Sequence, residues 1–205
     1  MIHPDTELRF VNDDIGYGVF ATAPIPKGTI VYAKDKLEIE LTPKQFNKLD
    51  KIHQNIADKY SYIDEKGNRV ISWDNAKYVN HRCDCNSMST GYGFEVAIKD
   101  INANEEITDE YGLFNIPFPI EVNCGCENCR KMLLPTDADT YTAEWDEKVE
   151  NALTNILEIE QPLWDVISYS SARDLTGYIY GKKPYKSVDA LRYRPVIKMS
   201  ERSVR

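Results

Sequence analysis

The sequence predicts a mainly β fold with one inserted helix and an α-helical extension at its C-terminal end. In the first half of the 205-residue chain, short apolar runs alternate with turn residues. Helical spacing of apolar residues interrupts these runs once, after Thr42. The helical spacing returns only beyond a cysteine cluster near residue 125. Many short strands combined with one early helix favour a mainly β architecture.

The first strands lie in residues 7–40, where the apolar runs 18–21 and 29–32 are bounded by Pro24, Pro26 and Gly28. Thr42 then offers an N-cap and Pro43 a first helical position, which predicts a single helix over about residues 42–58. Its apolar face would consist of Phe46, Leu49, Ile52 and Ile56.

A hairpin is expected next, with strands over 60–63 and 69–73 joined by a turn at 66–68. Two further strands are predicted over 92–98 and 106–108. From about 142 to 159 an apolar helical face is formed by Trp145, Val149, Ala152, Leu153, Ile156 and Leu157. A second helix is predicted over 163–175, after Pro162. Of three roles for this extension, covering the core, forming a dimer or shaping a substrate groove, we expect the first because the apolar face is continuous.

Net charge and hydropathy make some classes of function less plausible than others. A formal net charge of −8 disfavours nucleic-acid binding, which depends on Lys and Arg, and fits a basic partner better. No apolar stretch approaches the length of a spanning helix, and the first residues lack the layout of a signal peptide. We therefore expect an intracellular protein without a membrane partner. The cytoplasm is the expected location, or the nucleus or chromatin if the source is eukaryotic or the protein is an effector.

Five cysteines are present, and three of them, Cys124, Cys126 and Cys129, crowd into six residues. In a reducing compartment such crowding indicates metal binding before disulfides, and three thiolates can share one tetrahedral Zn²⁺. The fourth position would come from Cys83 or Cys85, and a closed set of four sulfurs indicates a structural site. The alternative is a group of free, partly buried thiols.

Three other features are ambiguous when taken singly. Gly16-Tyr17-Gly18 lies beside a strand and would allow close backbone approach to a ligand, or serve only as a turn. It lacks the third glycine and following helix of a dinucleotide site. Tyr111 ends a strand at a glycine turn, where a tyrosine is commonly structural. His81 could be a base, a ligand or a hydrogen-bonded structural group.

Taken in order, these runs resemble the SET-domain protein lysine methyltransferases, whose motifs read G-x-G, N-H-x-C-x-P-N, E-E-L-T-x-D-Y-G and a cysteine-rich post-SET segment. The matching runs are 16–21, 77–86, 105–112 and 124–130. The resemblance spans about residues 8–134. It implies a β-clip SET fold over 1–118, carrying the helix near 42–58 as its insert. A post-SET segment over 119–135 and a helical extension over 136–205 would follow.

The resemblance also implies residue roles. Gly16, Tyr17 and Gly18, together with Asn80 and His81, would hold S-adenosylmethionine. Tyr111 would be the catalytic tyrosine, orienting the lysine amine toward the methyl group rather than acting as a strong base. Structural Zn²⁺ would be bound by Cys83, Cys124, Cys126 and Cys129, which ties the post-SET segment over the site.

The chain departs from the family pattern in three places. Asp109 replaces the aromatic residue two positions before the catalytic tyrosine, and by hydrogen bonding the amine or holding water it could favour fewer methyl groups, or it could point away. Cys85 replaces the proline of the second motif. The post-SET spacing is short, so Cys126 either occupies its own position or substitutes for a cysteine where Val122 stands.

The predicted function is therefore transfer of methyl from S-adenosylmethionine to lysine in a basic protein or peptide. Two other functions remain open at this point. One is a SET-like, zinc-containing protein-binding module that has lost methyl transfer, which the presence of Asn80, His81 and Tyr111 disfavours. The other is a zinc-ribbon nucleic-acid binder, which the acidic charge disfavours. A homodimer through the C-terminal helices is a further expectation.

Overall fold

The fold is mainly β, with helices inserted after the fourth strand and gathered at the C-terminal end, as predicted. The computed structural model describes residues 1–195; the last residues of the expected 136–205 extension lie outside this range. The described strands are β1 Thr6–Asn12, β2 Gly16–Ala21, β3 Ile30–Ala33, β4 Ile39–Leu41, β5 Ser61–Ile63, β6 Arg69–Ile71, β7 Asn80–His81, β8 Ser87–Ser89, β9 Phe94–Ala97, β10 Glu106–Asp109, β11 Ile120–Glu121 and β12 Met132–Leu133. The described α-helices are α1 Pro43–Phe46, α2 Lys51–Tyr60, α3 Asp137–Leu153 and α4 Tyr169–Ile179.

These strands form small sheets whose orders are β1-β2-β10-β7, β3-β9-β8, β4-β6-β5 and β11-β12. In the first sheet β10 is antiparallel to β2 and parallel to β7, with Thr108 opposite Asn80 and Asp109 opposite His81. The second motif and the end of the third motif are therefore neighbours across one strand pair. Among the described residues, no helix is long and apolar enough to span a bilayer.

The predicted helix over 42–58 is wrong in one respect, because the structure has two helices there. Thr42 caps α1 with the expected capping box, but Asp50 starts a second helix by accepting a hydrogen bond from His53 N at 3.0 Å. The predicted apolar face is not buried either. Ile52 and Ile56 are 71% and 50% exposed, whereas Ala57 is buried. Two cap residues eight positions apart divide the segment.

The C-terminal helices are shifted relative to the predictions. Helix α3 runs over Asp137–Leu153 instead of 142–159, and α4 over Tyr169–Ile179 instead of 163–175. Ser168 decides the start of α4, because its hydroxyl accepts a hydrogen bond from Ser171 N at 3.0 Å. Leu163 and Ile167, which were expected in that helix, are buried but lie in the irregular segment before it.

The main core joins the C-terminal helices to the β3-β9-β8 sheet. Trp145 and Val149 of α3 and Leu175 of α4 pack in one cluster with Met88 and Phe94 of the sheet. A smaller core, which includes Val19, Val31 and Ile107, lies beneath β2 and β10. The extension thus covers the β core, the role expected from its continuous apolar face.

Candidate active site

The site is built around the end of β10, where β2 and β7 approach from either side. Asn80 on β7 connects these strands, because its Nδ2 donates to Tyr17 O at 3.1 Å and to Glu106 Oε1 at 2.7 Å. Both amide hydrogens are therefore engaged, and the side chain has one fixed orientation. Through this amide the structure brings together the first two motifs, whose residues Tyr17 and Asn80 are 63 positions apart.

Gly18 is required by protein packing at this junction. A Cβ atom there would collide with the Glu106 carboxylate and come within 3.0 Å of Asn80 Nδ2. Gly16 has a φ of +85° and no heavy atom within 4 Å of its Cβ position, while Tyr17 is half exposed. The two glycines therefore act differently. Gly18 leaves room for the Glu106 and Asn80 side chains, and Gly16 borders open space at the start of β2.

His81 is a buried structural group rather than a base. Its Nδ1 lies 3.0 Å from Asp109 O and 3.3 Å from Tyr111 N, and its Nε2 lies 3.4 Å from Cys83 Sγ. Burial, assisted by the positive charge of Arg130, lowers the pKa of His81 to about 4. The imidazole is neutral at neutral pH, and it links the end of β10 to the cysteine cluster.

Tyr111 follows β10 in a short 3₁₀ turn, and its hydroxyl is held by the main chain. Tyr111 Oη donates a hydrogen bond to Val79 O at 2.7 Å. Burial raises the pKa of this phenol, and the nearby charge of Asp109 raises it further. A phenol with its proton committed to a carbonyl presents oxygen lone pairs to a ligand and does not act as a base at neutral pH.

Beside Tyr111 lies a cavity of about 190 Å³ with several aromatic rings in its walls. Tyr32, Tyr62 and Phe114 contribute rings, and two carboxyl groups, Glu95 and Asp109, also line it. Asp109 is fully buried and Glu95 is 9% exposed. Sequence reasoning noticed Asp109 but missed Glu95. The available signal was a single carboxylate between Phe94 and Val96 in a strand that is otherwise apolar.

Three of the four cysteines predicted to bind zinc come together in the structure, with Cys83 contributing from the turn after β7, whereas Cys126 is not part of this group. The sulfur atoms of Cys83, Cys124 and Cys129 all lie within 4.8 Å of one another, close enough to hold one metal ion. Cys126 Sγ is 3.2 Å from Cys124 Sγ. Cys85 is instead buried in the main apolar core. Of the two thiols left open by the sequence, only Cys83 joins the cluster.

Comparison with known families agrees with this arrangement. A family model described as SET domain matches residues 16–112. Residues 16–112 are a SET domain. The resemblance drawn from the motifs and the predicted fold class are both confirmed. The SET family generally comprises S-adenosylmethionine-dependent lysine methyltransferases. The chain matches no curated protein.

A buried ion pair attaches the cysteine segment to the SET domain, and sequence reasoning assigned no role to it. The Arg130 guanidinium donates to both carboxylate oxygens of Glu110, at 2.6 and 2.8 Å, and to Asp137 Oδ2 at 3.2 Å. Arg130 N also donates to Cys83 Sγ at 3.4 Å. Arg130 therefore contacts the cysteine cluster, Glu110 immediately before Tyr111, and Asp137 at the start of α3.

Helix α3 contacts the SET domain at the turn that carries Tyr111. A Cβ atom on Gly112 would come within 2.8 Å of the Trp145 indole, so only glycine allows this close packing. Glu110 Oε1 additionally accepts from Gly112 N at 2.8 Å. The extension and the Glu110 ion pair therefore hold the Tyr111 turn from two sides.

Proposed function

We propose that this protein is an S-adenosylmethionine-dependent protein-lysine N-methyltransferase. The observation that carries the proposal is Tyr111, whose hydroxyl is held by Val79 O at the wall of an aromatic cavity inside a SET domain. A long side chain with a cationic end fits a narrow pocket with aromatic walls and carboxyl groups. Lysine is the common protein side chain of that kind.

On the cofactor side, the residues of this chain that would bind are Gly16, Tyr17, Gly18, Asn80 and His81. When bound, S-adenosylmethionine supplies the methyl group as an electrophile on a cationic sulfur. The open space at Gly16 and the exposed ring of Tyr17 leave room for a ligand along the start of β2. Asn80 is fixed by two hydrogen bonds, so its carbonyl oxygen is pre-oriented for a ligand donor.

On the lysine side, this chain must orient the amine and exclude water. The rings of Tyr32, Tyr62 and Phe114 desolvate the side chain, which lowers the pKa of an amine because burial disfavours the charged form. The Tyr111 hydroxyl, with its proton donated to Val79 O, turns lone pairs toward the amine and the transferred methyl. Rate enhancement then comes mainly from alignment of amine and methyl group.

Zinc is the second group that we propose for this chain, in a structural role. Cys83, Cys124, Cys126 and Cys129 would be its four ligands, and four thiolates leave no open position for water. Although burial raises the pKa of Cys124, hydrogen bonds within the cluster lower it to about 6, which favours the thiolate that a metal needs. The bound ion would hold residues 124–129 against the SET domain.

We further propose a basic, lysine-containing protein or peptide as the substrate and an intracellular location, with the cytoplasm preferred. The formal charge of −8 supports the first inference, since an acidic surface attracts a basic partner. The crowded cysteines support the second, because clustered thiols that bind a metal are typical of a reducing compartment.

The test is transfer of a radiolabelled methyl group from S-adenosylmethionine to lysine-rich proteins, followed by mass spectrometry of the modified residue. Tyr111→Phe removes only the hydroxyl. We expect it to retain cofactor binding and lose roughly 10²- to 10³-fold in turnover, the loss typical of one positioned polar group in a transition state.

Tyr180→Phe is the matched control, because Tyr180 is an exposed tyrosine near the end of α4. It should match the wild type. Full activity of Tyr111→Phe would refute the catalytic assignment. Cofactor binding without transfer to any lysine-rich protein would instead favour the protein-binding module, and transfer to a group other than lysine would refute the substrate class.

A further inference from the structure

Two buried carboxyl groups that line the Tyr111 cavity, Asp109 and Glu95, have no cationic partner within residues 1–195. Asp109 is fully buried; its Oδ1 accepts from Glu110 N at 2.6 Å, and its Oδ2 has no hydrogen-bond partner among the described residues. Glu95 lies beside it on β9 and lines the same cavity. A buried carboxylate oxygen without a partner is energetically unfavourable, and it commonly marks a place where a ligand binds.

The basic residues that line the same cavity do not neutralise this pair. Arg69 forms an ion pair with Asp58 and packs on the Phe46 ring. Lys77 donates to Asp74 O at 2.6 Å. Lys59 lies over the Tyr60 ring, 5.2 Å from its centroid. Each of these three side chains contacts another group, so within the described part of the chain the charge of the carboxyl pair is available for a cation from outside.

Glu95 and Asp109 do not ionise independently, because two neighbouring carboxylates in an apolar site disfavour each other's charged form. Burial raises the pKa of each group, and the proximity of Asp109 raises the pKa of Glu95 further. At neutral pH Glu95 therefore keeps its proton, and Asp109, whose pKa is raised to about 7, carries the partial negative charge of the pair. It can still accept hydrogen bonds from a cation, and it can take up one more proton.

We propose that the Glu95–Asp109 pair binds the ε-ammonium group of the target lysine and restricts the product to monomethyl-lysine. The inference rests on the proposed methyltransferase function and adds a specificity determinant to it. The cavity combines aromatic walls, which accommodate an alkyl ammonium, with carboxyl oxygens that accept N–H hydrogen bonds. Trimethylammonium has no N–H to donate, so the pair discriminates by the number of methyl groups.

The transfer step balances with this pair as the proton acceptor. One N–H proton of the lysine ammonium passes to the ionised carboxylate, which frees the nitrogen lone pair. That lone pair forms the N–C bond, and the electrons of the breaking S–C bond return to sulfur. The product is a monomethylated ammonium beside a neutral carboxyl pair, whose extra proton leaves to water when the product dissociates.

A second transfer would place the first methyl group where an N–H had been. With one fewer N–H, the amine leaves a carboxylate oxygen such as Asp109 Oδ2 unpartnered in a buried site. The penalty for one unsatisfied buried group corresponds to roughly ten- to a hundredfold in rate. Dimethylation is therefore slower than monomethylation by about that factor, and trimethylation is slower again.

The first experiment measures cation binding to the full chain without cofactor, so it does not depend on methyl transfer. The probes are n-butylammonium and n-butyltrimethylammonium, titrated by ligand-detected NMR. The variants are Glu95→Gln and Asp109→Asn, which conserve shape. Glu147→Gln is the charge-matched control, because Glu147 is an exposed residue of α3 outside the cavity.

Wild type and Glu147→Gln should bind n-butylammonium at least tenfold more tightly than n-butyltrimethylammonium. The two cavity variants should lose most of that preference, and circular dichroism should show both to be folded. Equal affinity for the two probes in the wild type, or an unchanged preference in both variants, overturns the proposal.

The second experiment measures the methylation state of a lysine peptide at long reaction times. Wild type should accumulate monomethyl-lysine, whereas Asp109→Asn, which keeps Glu95 as the proton acceptor, should turn over more slowly and raise the proportion of dimethyl-lysine at least tenfold. Methyl transfer with a product distribution that is the same in both proteins overturns this inference and leaves the methyltransferase function intact. Selective binding of n-butylammonium without any transfer refutes the methyltransferase function but retains the cation site.

Discussion

Replacing Arg130 by methionine should destabilise the fold mainly through the charge that it leaves behind. Arg130 is only 14% exposed, and it neutralises Glu110 and Asp137, whose side chains are 3% and 7% exposed. Burial raises the pKa of Glu110 even in the presence of Arg130, which partly offsets that effect. In Arg130→Met, Glu110 loses two charge-assisted hydrogen bonds and its counter-charge at once.

The expected loss of unfolding free energy is about 3–5 kcal/mol at pH 8, the range for removing one partner of a buried ion pair. The loss should shrink at lower pH. Without Arg130 the folded-state pKa of Glu110 rises further above its ordinary value, so the penalty reaches its full size only above that pKa, where Glu110 is ionised in the folded protein. As the pH falls below that pKa, the folded protein binds a proton that the unfolded chain does not, so the penalty shrinks steadily and is gone only near the ordinary pKa of the carboxyl group.

The assay is urea unfolding followed by tryptophan fluorescence, with zinc present, at pH 8 and pH 6. Arg82→Met is the matched control, because Arg82 pairs with Asp84 at the surface beside the same cysteine cluster. Exposed pairs contribute little, so this variant should lose less than about 1 kcal/mol. Similar losses in the two variants, or a loss in Arg130→Met that is equal at both pH values, would refute the reasoning.

Two further predictions concern the cysteines and the cavity. Cys83→Ser should lose bound zinc, measured by atomic absorption on the purified protein. Cys85→Ala should retain zinc, because Cys85 lies in the apolar core. Zinc retained in Cys83→Ser would contradict the ligand assignment. Burial raises the pKa of Asp109 to about 7, so the unfolding free energy of the wild type should decrease as the pH rises from about 4 to about 7. This decrease should be smaller in Asp109→Asn, but not absent, because Glu95 and Glu110 also face the site. Identical pH profiles of the two proteins in urea unfolding would show that Asp109 titrates normally.

Local sequence signals identified most of the secondary-structure elements. Thr42 and Pro43 start a helix as predicted, and the strands around 61–63, 69–71 and 106–109 were anticipated from their apolar runs. Asn80 and Tyr111 stand in motifs whose order along the chain is itself informative. Errors occurred where local signals compete, as at Asp50, whose cap divides one expected helix into two.

Other features depend on contacts between distant segments. Arg130 and Glu110 are 20 positions apart, and nothing in their local sequence distinguishes them from solvated surface charges. Glu95 and Asp109 lie on strands of different sheets, and they face one cavity only because both sheets pack beside the Tyr111 turn. Burial in the folded chain gives these groups shifted pKa values.

The amino-acid sequence by itself determined the SET family of residues 16–112, the mainly β class with helices at its end, and the thiols available for a metal, because these depend on residue type and spacing. Tertiary structure decided the remaining questions. It assigned Cys83 rather than Cys85 to the cluster, committed the Tyr111 proton to Val79 O, and placed Glu95 against Asp109. The physical reason is that hydrogen-bond partners, desolvation and shared protons are properties of neighbours in space, and residues far apart along the chain become neighbours only on folding.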